Sequence, residues 1–364
     1  MKDTVVFNAV GDIWFADHPV TLGHGVASTL KKNGPNSFFR NIKNVLDSAD
    51  LNFCNLESVI SNKGLNQKEL TSIEMRGCPD AIKALQDANF NVVNIANNHI
   101  MQHGMGAFLD TVSILNSSGS HIVGLDHDNF TNVVPFVVNG IKISVAGFSL
   151  HPELYYNGTV PYSFRAEPSD VIEEIKHIRN HTDGFLIVSL HWGEEHFEYP
   201  SKKQIDLAHQ LVDHGVNVIL GHHPHVIQGI EEYNGALIAY SLGNFLFDLW
   251  QPATKKSIVL KLIISKSNKF DFEIIPVYSS QKYIIHAAEG ETKKILLEKI
   301  AVLNSNINKL SKLSEKEYDS LVKENRMANR ISGYKYFILN LHRYKLSIIL
   351  QSILRTVRRR MGDL

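Results

Sequence analysis

The stretch VNVILGHHPHVIQ, residues 216–228, joins an apolar run, interrupted only by Asn217, to a loop that carries three histidines. An apolar run without polar alternation is typical of a central strand that is buried on both faces of a sheet. The run FLIVSL, residues 185–190, has the same character and is followed by His191. Both runs therefore predict central strands whose carboxyl ends carry polar side chains, which is where binding sites gather in α/β sheets.

Strand and helix patterns alternate on both sides of these runs. Strands are predicted at 4–10, 51–55, 91–95, 133–138, 142–148, 184–190, 216–220, 236–240, 258–264 and 272–277. Helices are predicted at 35–48, 79–88, 106–118, 168–180 and 201–214. Such alternation predicts parallel or mixed sheet covered by helices. The strands after about residue 250 have no helices between them, which predicts an antiparallel ladder that completes the sheet.

The composition is that of an ordinary globular protein. The 364 residues include 37 basic and 37 acidic side chains, so no global field favours nucleic acid, and no nucleic-acid motif occurs. Cys54 and Cys78 are too few for a disulfide framework. The sequence shows neither the pattern of a signal peptide nor an apolar run long enough to span a membrane, so a cytoplasmic location is expected.

Six short motifs follow predicted strands and carry acidic, amide and imidazole side chains. They are AVGDIW (9–14), NLES (55–58), ANNH (96–99), SLHWGEE (189–195), GHHPHVIQ (221–228) and YSLGNFLFD (240–248). Because strand ends meet at one edge of a sheet, we expect their polar residues to converge there. The residues expected to converge are Asp12, Glu57, Asn98, His99, His191, His223 and His225.

The chemistry of this set predicts a metal site. Carboxylate, amide and imidazole ligands without thiolates suit one or two divalent ions of Mn, Fe or Zn. Glu57 can bridge two ions, and a two-metal site stabilises both reacting oxygens of a phosphoryl displacement. His223 and His225, two residues apart, can each reach one ion, while His99 is the candidate catalytic acid beside them.

Taken in order, the six motifs resemble those of the CapA proteins of capsule and poly-γ-glutamate synthesis. The resemblance runs from Asn8 to Asp248, about two-thirds of the chain. These proteins are similar to calcineurin-like metallophosphoesterases, which implies an α/β (α+β) four-layer sandwich of two mixed β-sheets flanked by helices. It also implies a role in the synthesis of a cell-surface polymer.

The resemblance assigns roles to individual residues. It implies that Asp12, Glu57 and His225 hold a first metal, with Glu57 bridging to a second. The second metal then takes the remaining ligands, Asn98, His191 and His223. His99 corresponds to the histidine that protonates the leaving group. Substrate or outer-sphere positions are Trp192, Glu194, Asn244 and Asp248.

Two positions depart from the related patterns. Metallophosphoesterases have a metal-binding histidine two residues after the first aspartate, where this chain has Trp14, so the first metal site has fewer ligands. CapA proteins commonly have an aspartate after the NNH motif, where this chain has Gln102. If that aspartate orients His99, the amide puts catalytic competence in question unless the neighbouring His103 takes its place.

The composition changes after residue 288, which predicts a body at 1–288 and a helical, basic C-terminal tail at 289–364. Polar helices are predicted at 291–312 and 315–329. The last segment mixes apolar residues with cations and includes four arginines, Arg355, Arg358, Arg359 and Arg360. Two interpretations remain open. The tail is either an appendage packed on the body or a basic amphipathic helix that contacts anionic lipid or a membrane-bound partner.

Two functions follow from these features. The first is a metal-dependent hydrolase of phosphoester or related bonds, such as an amide, acting on capsular polysaccharide, poly-γ-glutamate or a precursor. The alternative is a non-catalytic, metal-binding assembly factor that joins a membrane-associated synthesis complex through its tail. Trp14 and Gln102 favour the second function, whereas the complete set of metal-binding residues favours the first.

Overall fold

Two mixed β-sheets pack face to face in the computed structural model, and helices cover both outer faces. The structure describes residues 3–126, 132–310 and 312–361, with the side chains of 310 and 355–361 left out. The strands are β1 (Thr4–Ile13), β2 (Leu51–Leu56), β3 (Val92–Asn94), β4 (His121–Val123), β5 (Val133–Val138), β6 (Ile141–Ser149), β7 (Phe185–His191), β8 (Val218–His222), β9 (Ile230–Tyr233), β10 (Ala236–Ala239), β11 (Asn244–Leu246), β12 (Lys256–Ser265), β13 (Phe270–Ser279) and β14 (Ile285–Ala287). The helices are α1 (Val26–Asn33), α2 (Lys43–Leu46), α3 (Leu70–Ile73), α4 (Ala81–Asp87), α5 (Gly104–Ser117), α6 (Pro168–His181), α7 (Lys202–Asp213), α8 (Gly290–Leu310), α9 (Glu315–Leu339) and α10 (Leu346–Met361).

The first sheet is antiparallel on one side and parallel on the other, whereas the second has a parallel centre and two antiparallel edge strands. The first sheet has the order β14-β13-β12-β1-β2-β3-β4, with β11 also paired to β1. Strands β1 to β4 run parallel, and β12, β13 and β14 form the antiparallel ladder expected from the sequence. The second sheet has the order β5-β6-β7-β8-β10-β9, and β6, β7, β8 and β10 are parallel. The predicted α/β class is confirmed.

Three apolar layers hold the sheets and helices together. Between the sheets, Phe7 and Phe53 of the first sheet share a buried cluster with Phe185 and Val218 of the second. A second cluster joins α1, α4 and α5 to the outer face of the first sheet, and a third joins α6 and α7 to the second sheet. The runs predicted to form central strands are indeed fully buried along β7 and β8. The result is the four-layer arrangement of helices, sheet, sheet and helices.

The predicted helix at 35–48 is wrong as one continuous element. The structure has a 3₁₀ turn at Pro35–Ser37 and then only the short α2. Phe38 and Phe39 are both buried in the cluster between the first sheet and its helices. Adjacent residues point about 100° apart on an α-helix, so turns place both rings in this cluster more readily than a regular helix would.

The C-terminal helices pack against the rest of the chain. Ile300 and Leu303 of α8 belong to the apolar cluster between the two sheets. Tyr318 of α9 packs against Phe197, and Ile348 of α10 is buried in the cluster that also contains Leu22 and Leu70. The side chains of the four C-terminal arginines, Arg355, Arg358, Arg359 and Arg360, lie outside the described residues. None of the helices described here combines the length and apolarity needed to cross a bilayer.

Candidate metal centre

Polar side chains from both sheets meet at one edge of the sandwich. Strands β1, β2 and β3 of the first sheet and β7 and β8 of the second end there. The structure brings all seven residues expected to converge to this edge, and each is at most 7% exposed. Six of them form the metal-site cluster, which consists of Asp12, Glu57, Asn98, His191, His223 and His225. His99 lies beside the cluster.

Two glycines of the motifs let the backbone approach closely around this edge. A Cβ at Gly11 would lie 1.7 Å from the carbonyl oxygen of Gly243, which accepts a hydrogen bond from the amide of Asp12. A Cβ at Gly221 would lie 1.9 Å from the carbonyl oxygen of Tyr240. Since neither space can hold a methyl group, the glycines before Asp12 and before the histidine loop are required by packing.

The cluster contains two three-residue groups that could each hold a metal ion. One consists of Asp12, Glu57 and His225, and the other of Glu57, His191 and His223. Within each group the ligand atoms lie within 4.8 Å of one another. Glu57 is common to both, and its Oε1 lies 3.7 Å from Nε2 of His191 and 3.7 Å from Nε2 of His225. One carboxylate therefore stands between two sets of donors.

Glu57 is fully buried, and neither carboxylate oxygen has a hydrogen-bond partner among the described residues. Burial raises the pKa of the Glu57 carboxyl well above its usual value, and the nearby Asp12 adds to this, while His225 opposes it. A buried carboxyl without a partner costs folding free energy, because it loses water and gains no compensating bond. A divalent cation would supply that missing partner, so the donor set fits a metal.

Asp12 is fixed in position by residues that the sequence analysis did not select. Its Oδ1 accepts a hydrogen bond of 2.8 Å from Nδ2 of Asn55 and lies 3.0 Å from Nδ1 of His222. Burial alone would raise the pKa of Asp12, but hydrogen bonds with His222 and His225 outweigh it and lower the pKa. His222 and His225 therefore lower the pKa of Asp12, while Asn55 and His222 orient its carboxylate, as outer-sphere partners of a metal ligand do.

The second group centres on His191 and His223. Nε2 of His191 lies 2.8 Å from Oδ1 of Asn98, so the amide and imidazole point at the same space. Burial lowers the pKa values of both His191 and His223 well below the usual value. Both rings are therefore neutral, the form in which histidine binds a metal. His223 also has a φ of 93°, a positive value that is uncommon for a residue other than glycine. Such strained backbone is concentrated at functional sites.

His225 differs from the other two histidines because it lies beside both carboxylates. Burial lowers its pKa, but Glu57 and Asp12 outweigh that effect and raise the pKa to about 10. Its Nδ1 lies 2.9 Å from Oδ1 of Asn244, a residue predicted to have an outer role. Asn244 therefore orients the ring of His225 rather than joining the metal-site cluster itself.

His99 is oriented by Gln102, at the position where an aspartate was expected. Nδ1 of His99 lies 2.7 Å from Oε1 of Gln102, and the other amide atom, Nε2, donates to Sδ of Met75. This second contact turns the amide oxygen towards the ring. Burial lowers the pKa of His99 to about 4, although the Gln102 hydrogen bond opposes this. His103 contacts the carbonyl oxygen of Met75 instead and does not replace the missing aspartate.

Aromatic rings surround Trp14, the residue at the position where the related pattern has a histidine. The Trp14 ring is fully buried, stacks on Phe247 at 4.8 Å and meets the edge of His99 at 5.3 Å. Phe247 also packs on His225 at 4.6 Å. The first group of ligands is therefore bounded by apolar rings on the side where a further ligand would stand.

Two of the predicted outer positions, Glu194 and Trp192, make their contacts away from the cluster. Glu194 pairs with Arg326 of α9, whereas the carboxylate of its neighbour Glu195 lies within 4.8 Å of nitrogen atoms of His223 and His225. Trp192 is buried and donates from Nε1 to the carbonyl oxygen of Tyr240. Glu195 is thus the acidic residue of this motif at the cluster, and sequence alone did not distinguish it from Glu194.

Asp248 stabilises the loop after β1. Its Oδ2 accepts hydrogen bonds from the amide of His18 and the hydroxyl of Thr21, while Oδ1 has no partner among the described residues. Burial raises the pKa of Asp248 to about 7, and the neighbouring carboxylate of Asp17 contributes. These contacts indicate a structural role for Asp248, next to the metal-site cluster rather than in it.

A groove of about 720 Å³ adjoins the cluster, between α9 and the loops that follow β6 and β7. Its inner end includes His151, whose ring centre lies 4.2 Å from that of His223. Ion pairs join α9 to the body beside the groove, between Glu315 and Lys203 and between Arg326 and Glu194. Helix α9 therefore forms one wall of this groove.

Comparison with known proteins places these features in a family. A family model described as "Bacterial capsule synthesis protein PGA_cap" matches residues 6–249. The "PGA biosynthesis protein CapA" of Bacillus subtilis (strain 168) is 30% identical over 283 residues, covering 76% of this chain and 72% of that protein. The "Capsule biosynthesis protein CapA" of Bacillus anthracis is 29% identical over 289 residues, covering 76% of this chain and 68% of that protein.

A more distant likeness is found among solved structures. The NAD nucleotidase of Haemophilus influenzae aligns with a TM-score of 0.41 and 13% sequence identity. The alignment covers 88% of this chain and 68% of that one.

Proposed function

The chain belongs to the PGA_cap family of bacterial capsule synthesis proteins, and from that premise we propose that its metal-site cluster is a hydrolytic centre. The proposed reaction is metal-dependent hydrolysis of a phosphoester or related bond, such as an amide. The proposed substrate is a cell-surface polymer, capsular polysaccharide or poly-γ-glutamate, or its precursor. Relatives described as capsule and PGA biosynthesis proteins support the polymer part of this proposal.

The observation that carries the proposal is the position of Glu57. Its carboxylate is fully buried, has no hydrogen-bond partner among the described residues, and belongs to both potential ligand groups. A carboxylate shared by two donor sets is the arrangement that a two-metal site requires. In this proposal Asp12 and His225 complete one site, and the other is completed by Asn98, His191 and His223.

Divalent ions of Mn, Fe or Zn held by these residues would supply positive charge that activates water and stabilises the reacting oxygens. The chain itself supplies orientation. Asn55 and His222 fix Asp12, and Asn244 fixes the ring of His225. The buried surroundings exclude bulk water, which strengthens each electrostatic interaction within the site.

His99 is the proposed proton donor to the leaving group. Its Nδ1 is held by Gln102, so Nε2 faces the cluster, 4.0 Å from Oε1 of Glu57. Because burial lowers the pKa of His99, its ring is neutral, and Nε2 would first take up a proton before passing it to a departing oxygen or nitrogen. The neutral amide of Gln102 provides the same geometric restraint as a carboxylate but adds no negative charge.

The groove beside His151 is the proposed path for the substrate. Its lining combines apolar side chains with charged ones that are already paired, such as Arg326 with Glu194. A groove of about 720 Å³ has room for more than a phosphate group, because pockets of about 300–1,000 Å³ hold whole small-molecule ligands. The proposal therefore favours an extended substrate over a free phosphate monoester.

An assembly factor without catalytic activity is the second candidate. The specific observation in its favour is Trp14, because its stacked ring occupies the side of Asp12, Glu57 and His225 where a further ligand would stand. With fewer ligands, a single ion at the other group could serve only to stabilise the fold. The two candidates predict the same metal-binding residues but different activities.

The deciding experiment measures bound metal and phosphodiester hydrolysis together. Purified protein is reconstituted with Mn, Fe or Zn, and metal is quantified by elemental analysis. For the hydrolase, we expect one or two ions per chain, with both metal and activity lost in the double variant His223→Ala/His225→Ala. The matched control is His177→Ala/His181→Ala, a surface pair with ring centres 4.2 Å apart, which should leave both unchanged.

The other outcomes separate the candidates. The assembly factor would be favoured by a wild type that binds metal, loses it in the His223→Ala/His225→Ala variant, and hydrolyses neither diester nor γ-glutamyl amide substrates. Protein that stays metal-free after all three reconstitutions would refute the metal centre itself.

A further inference from the structure

The corner between α9 and α10 exposes large apolar side chains. Ile338 and Leu339 at the end of α9 are 63% and 76% exposed, and Leu346 at the start of α10 is 70% exposed. Leu341, in the 3₁₀ turn between the two helices, is 39% exposed. Four large apolar residues thus lie at the surface within nine positions of the sequence.

Helix α10 continues this surface along one face. Leu346, Leu350, Ile353 and Leu354 are spaced by three and four residues, so they share one side of the helix. All four are between 51% and 70% exposed. We call these four residues together with Ile338, Leu339 and Leu341 the hairpin surface.

The opposite face of α10 is the one that packs on the protein. Tyr344 and Ile348 are buried in a cluster with Leu22 and Leu70, and the Tyr344 hydroxyl donates to the carbonyl oxygen of Val20. Burial of this second face holds the helix in place. The hairpin surface is therefore presented by a docked helix, and none of the described residues covers it.

The segment that forms the hairpin surface carries charge of a single sign. Residues 325–362 contain nine Lys and Arg and no Asp or Glu, although the whole chain has a net charge of zero. Among the described side chains, Arg330, Lys335, Arg343 and Lys345 are exposed. Apolar residues flanked by cations suit an interface that is apolar inside and anionic outside, as a bilayer with anionic phospholipid is.

We propose that the hairpin surface docks on a membrane surface that contains anionic phospholipid. Its apolar side chains enter the boundary between headgroups and acyl chains, and the surrounding cations contact the phosphates. A second copy of the chain fits less well, because two such surfaces would bring like charges together without an acidic partner. The inference goes beyond the proposed function and does not depend on metal binding.

Docking also has a defined relation to the metal-site cluster. Leu22 and Leu70, on which α10 packs, lie in the segments that follow β1 and β2, the two strands at whose ends Asp12 and Glu57 are placed. His24 of the first segment contacts the Tyr344 ring at 4.9 Å. The hairpin surface is therefore attached to the same edge of the sandwich that carries the cluster.

Vesicle flotation tests the proposal with the full chain. We expect the protein to float with vesicles of phosphatidylcholine mixed with phosphatidylglycerol, to stay unbound with phosphatidylcholine alone, and to be released by high salt. Lys335→Glu/Lys345→Glu should weaken binding by at least about twentyfold, since each cation near an anionic surface contributes about fivefold. Leu339→Ser/Leu346→Ser should weaken it by about tenfold or more, because two exposed apolar groups no longer enter the lipid.

Matched controls carry the same changes elsewhere. Val137→Ser/Leu109→Ser replaces two apolar side chains of the body that are 72% and 55% exposed. Lys293→Glu/Lys294→Glu reverses the charge of two exposed residues of α8. Neither should alter flotation, and thermal unfolding should show that every variant is folded.

Three results would overturn the proposal. They are equal binding to neutral and anionic vesicles, hairpin variants that bind like the wild type, and a wild type that binds no vesicles. In the last case, a dimer in analytical ultracentrifugation that Leu339→Ser/Leu346→Ser dissociates would identify a second copy as the occupant. Loss of the metal centre would leave all of these measurements unchanged.

Discussion

The metal-site cluster and the hairpin surface both depart from the rule that charged side chains are exposed and apolar ones are buried. The cluster buries an acidic group, whereas the hairpin surface exposes apolar groups. Glu57 is a fully buried carboxylate without a hydrogen-bond partner among the described residues, whereas Leu339 is an apolar side chain that is 76% exposed. Proteins keep such arrangements at a cost in stability, so each one indicates a partner that the folded chain alone does not supply. The chemistry differs: the first calls for a cation and the second for an apolar, anionic surface.

The two regions also differ in their relation to the family. The cluster lies within residues 6–249, which the family model matches, whereas α8, α9 and α10 lie beyond them. Even so, α8 contributes to the core between the sheets, and α9 forms a wall of the groove. The difference teaches that the segment outside the family match completes the core between the sheets and lines the groove beside His151.

The largest expected effect is that of Glu57→Gln. If Glu57 binds both ions, the variant should lose metal and reduce hydrolysis at least about a thousandfold, equivalent to about 4 kcal/mol of barrier. The metal-free protein should at the same time become more stable, because an unpaired buried carboxyl is replaced by a neutral amide. Elemental analysis, a diester assay and denaturant unfolding in chelator measure the three effects.

Glu174→Gln provides the matched control. Glu174 is also buried, at 2% exposure, but it accepts hydrogen bonds from Arg165 and Asn132. Its replacement should destabilise the fold by about 1–3 kcal/mol, because Arg165 loses the shorter of its two ion pairs and keeps only the one with Asp126, and should leave metal content unchanged. If both variants were destabilised alike, the contrast drawn for Glu57 would be wrong.

The next effect tests whether α8 is part of the body. Ile300 is 2% exposed in the cluster between the sheets, so Ile300→Ala should cost about 3 kcal/mol of unfolding free energy. Val302→Ala, on the same helix at 57% exposure, should change it by less than about 0.5 kcal/mol. Denaturant unfolding of both variants measures the difference. Equal effects would indicate that α8 is dispensable for the core.

Sequence motifs located the cluster well because each motif is local and follows a strand. Asp12, Glu57 and His191 were all identified from the strand that precedes them. The partners Asn55 and His222 were not selected, because their contacts with Asp12 span 43 and 210 residues and only the fold creates them. Parallel strands bring such distant positions together, and no local pattern records which pairs will meet.

The choice between Glu194 and Glu195 shows a second limit. The two adjacent residues are both glutamate, so the sequence does not distinguish them. The backbone conformation decides which one faces the histidines. Here Gly193 has a φ of 88° and His196 a φ of 59°, so left-handed residues on both sides redirect the chain. Helices were predicted well where caps were clear, as at Ser201, whose side chain accepts from the amide of Gln204.

A smaller effect tests the orientation of His99. Gln102→Ala removes the acceptor for Nδ1 but no metal ligand, so hydrolysis should fall about tenfold, or about 1.4 kcal/mol, with metal content unchanged. Gln102→Glu keeps an acceptor at the same distance and should retain activity. Steady-state kinetics with elemental analysis of both variants separates orientation from metal loss. Equal activity in all three proteins would show that the Gln102 contact with His99 does not contribute to hydrolysis.

The smallest effect concerns Asp248, which lies beside the cluster but has a structural role. Burial raises its pKa to about 7, so the unfolded chain, with a pKa near 4, ionises first as pH rises. Its contribution to stability therefore falls between about pH 4 and pH 7. Asp248→Asn keeps an acceptor for His18 and Thr21 and lacks this titration. We expect its unfolding free energy to rise relative to the wild type by about 1 kcal/mol per pH unit between pH 5 and pH 7.

Denaturant unfolding in chelator at several pH values checks this expectation, since metal binding is then absent. The range stops at pH 7 because burial lowers the pKa of the neighbouring Lys255 to about 8, and its titration would overlap. A constant difference between the two proteins would mean that Asp248 is ionised in the folded state. The loop after β1 would then hold a buried carboxylate stabilised by Thr21, His18 and the Lys255 ammonium. These contacts, rather than burial, would then determine the pKa of Asp248.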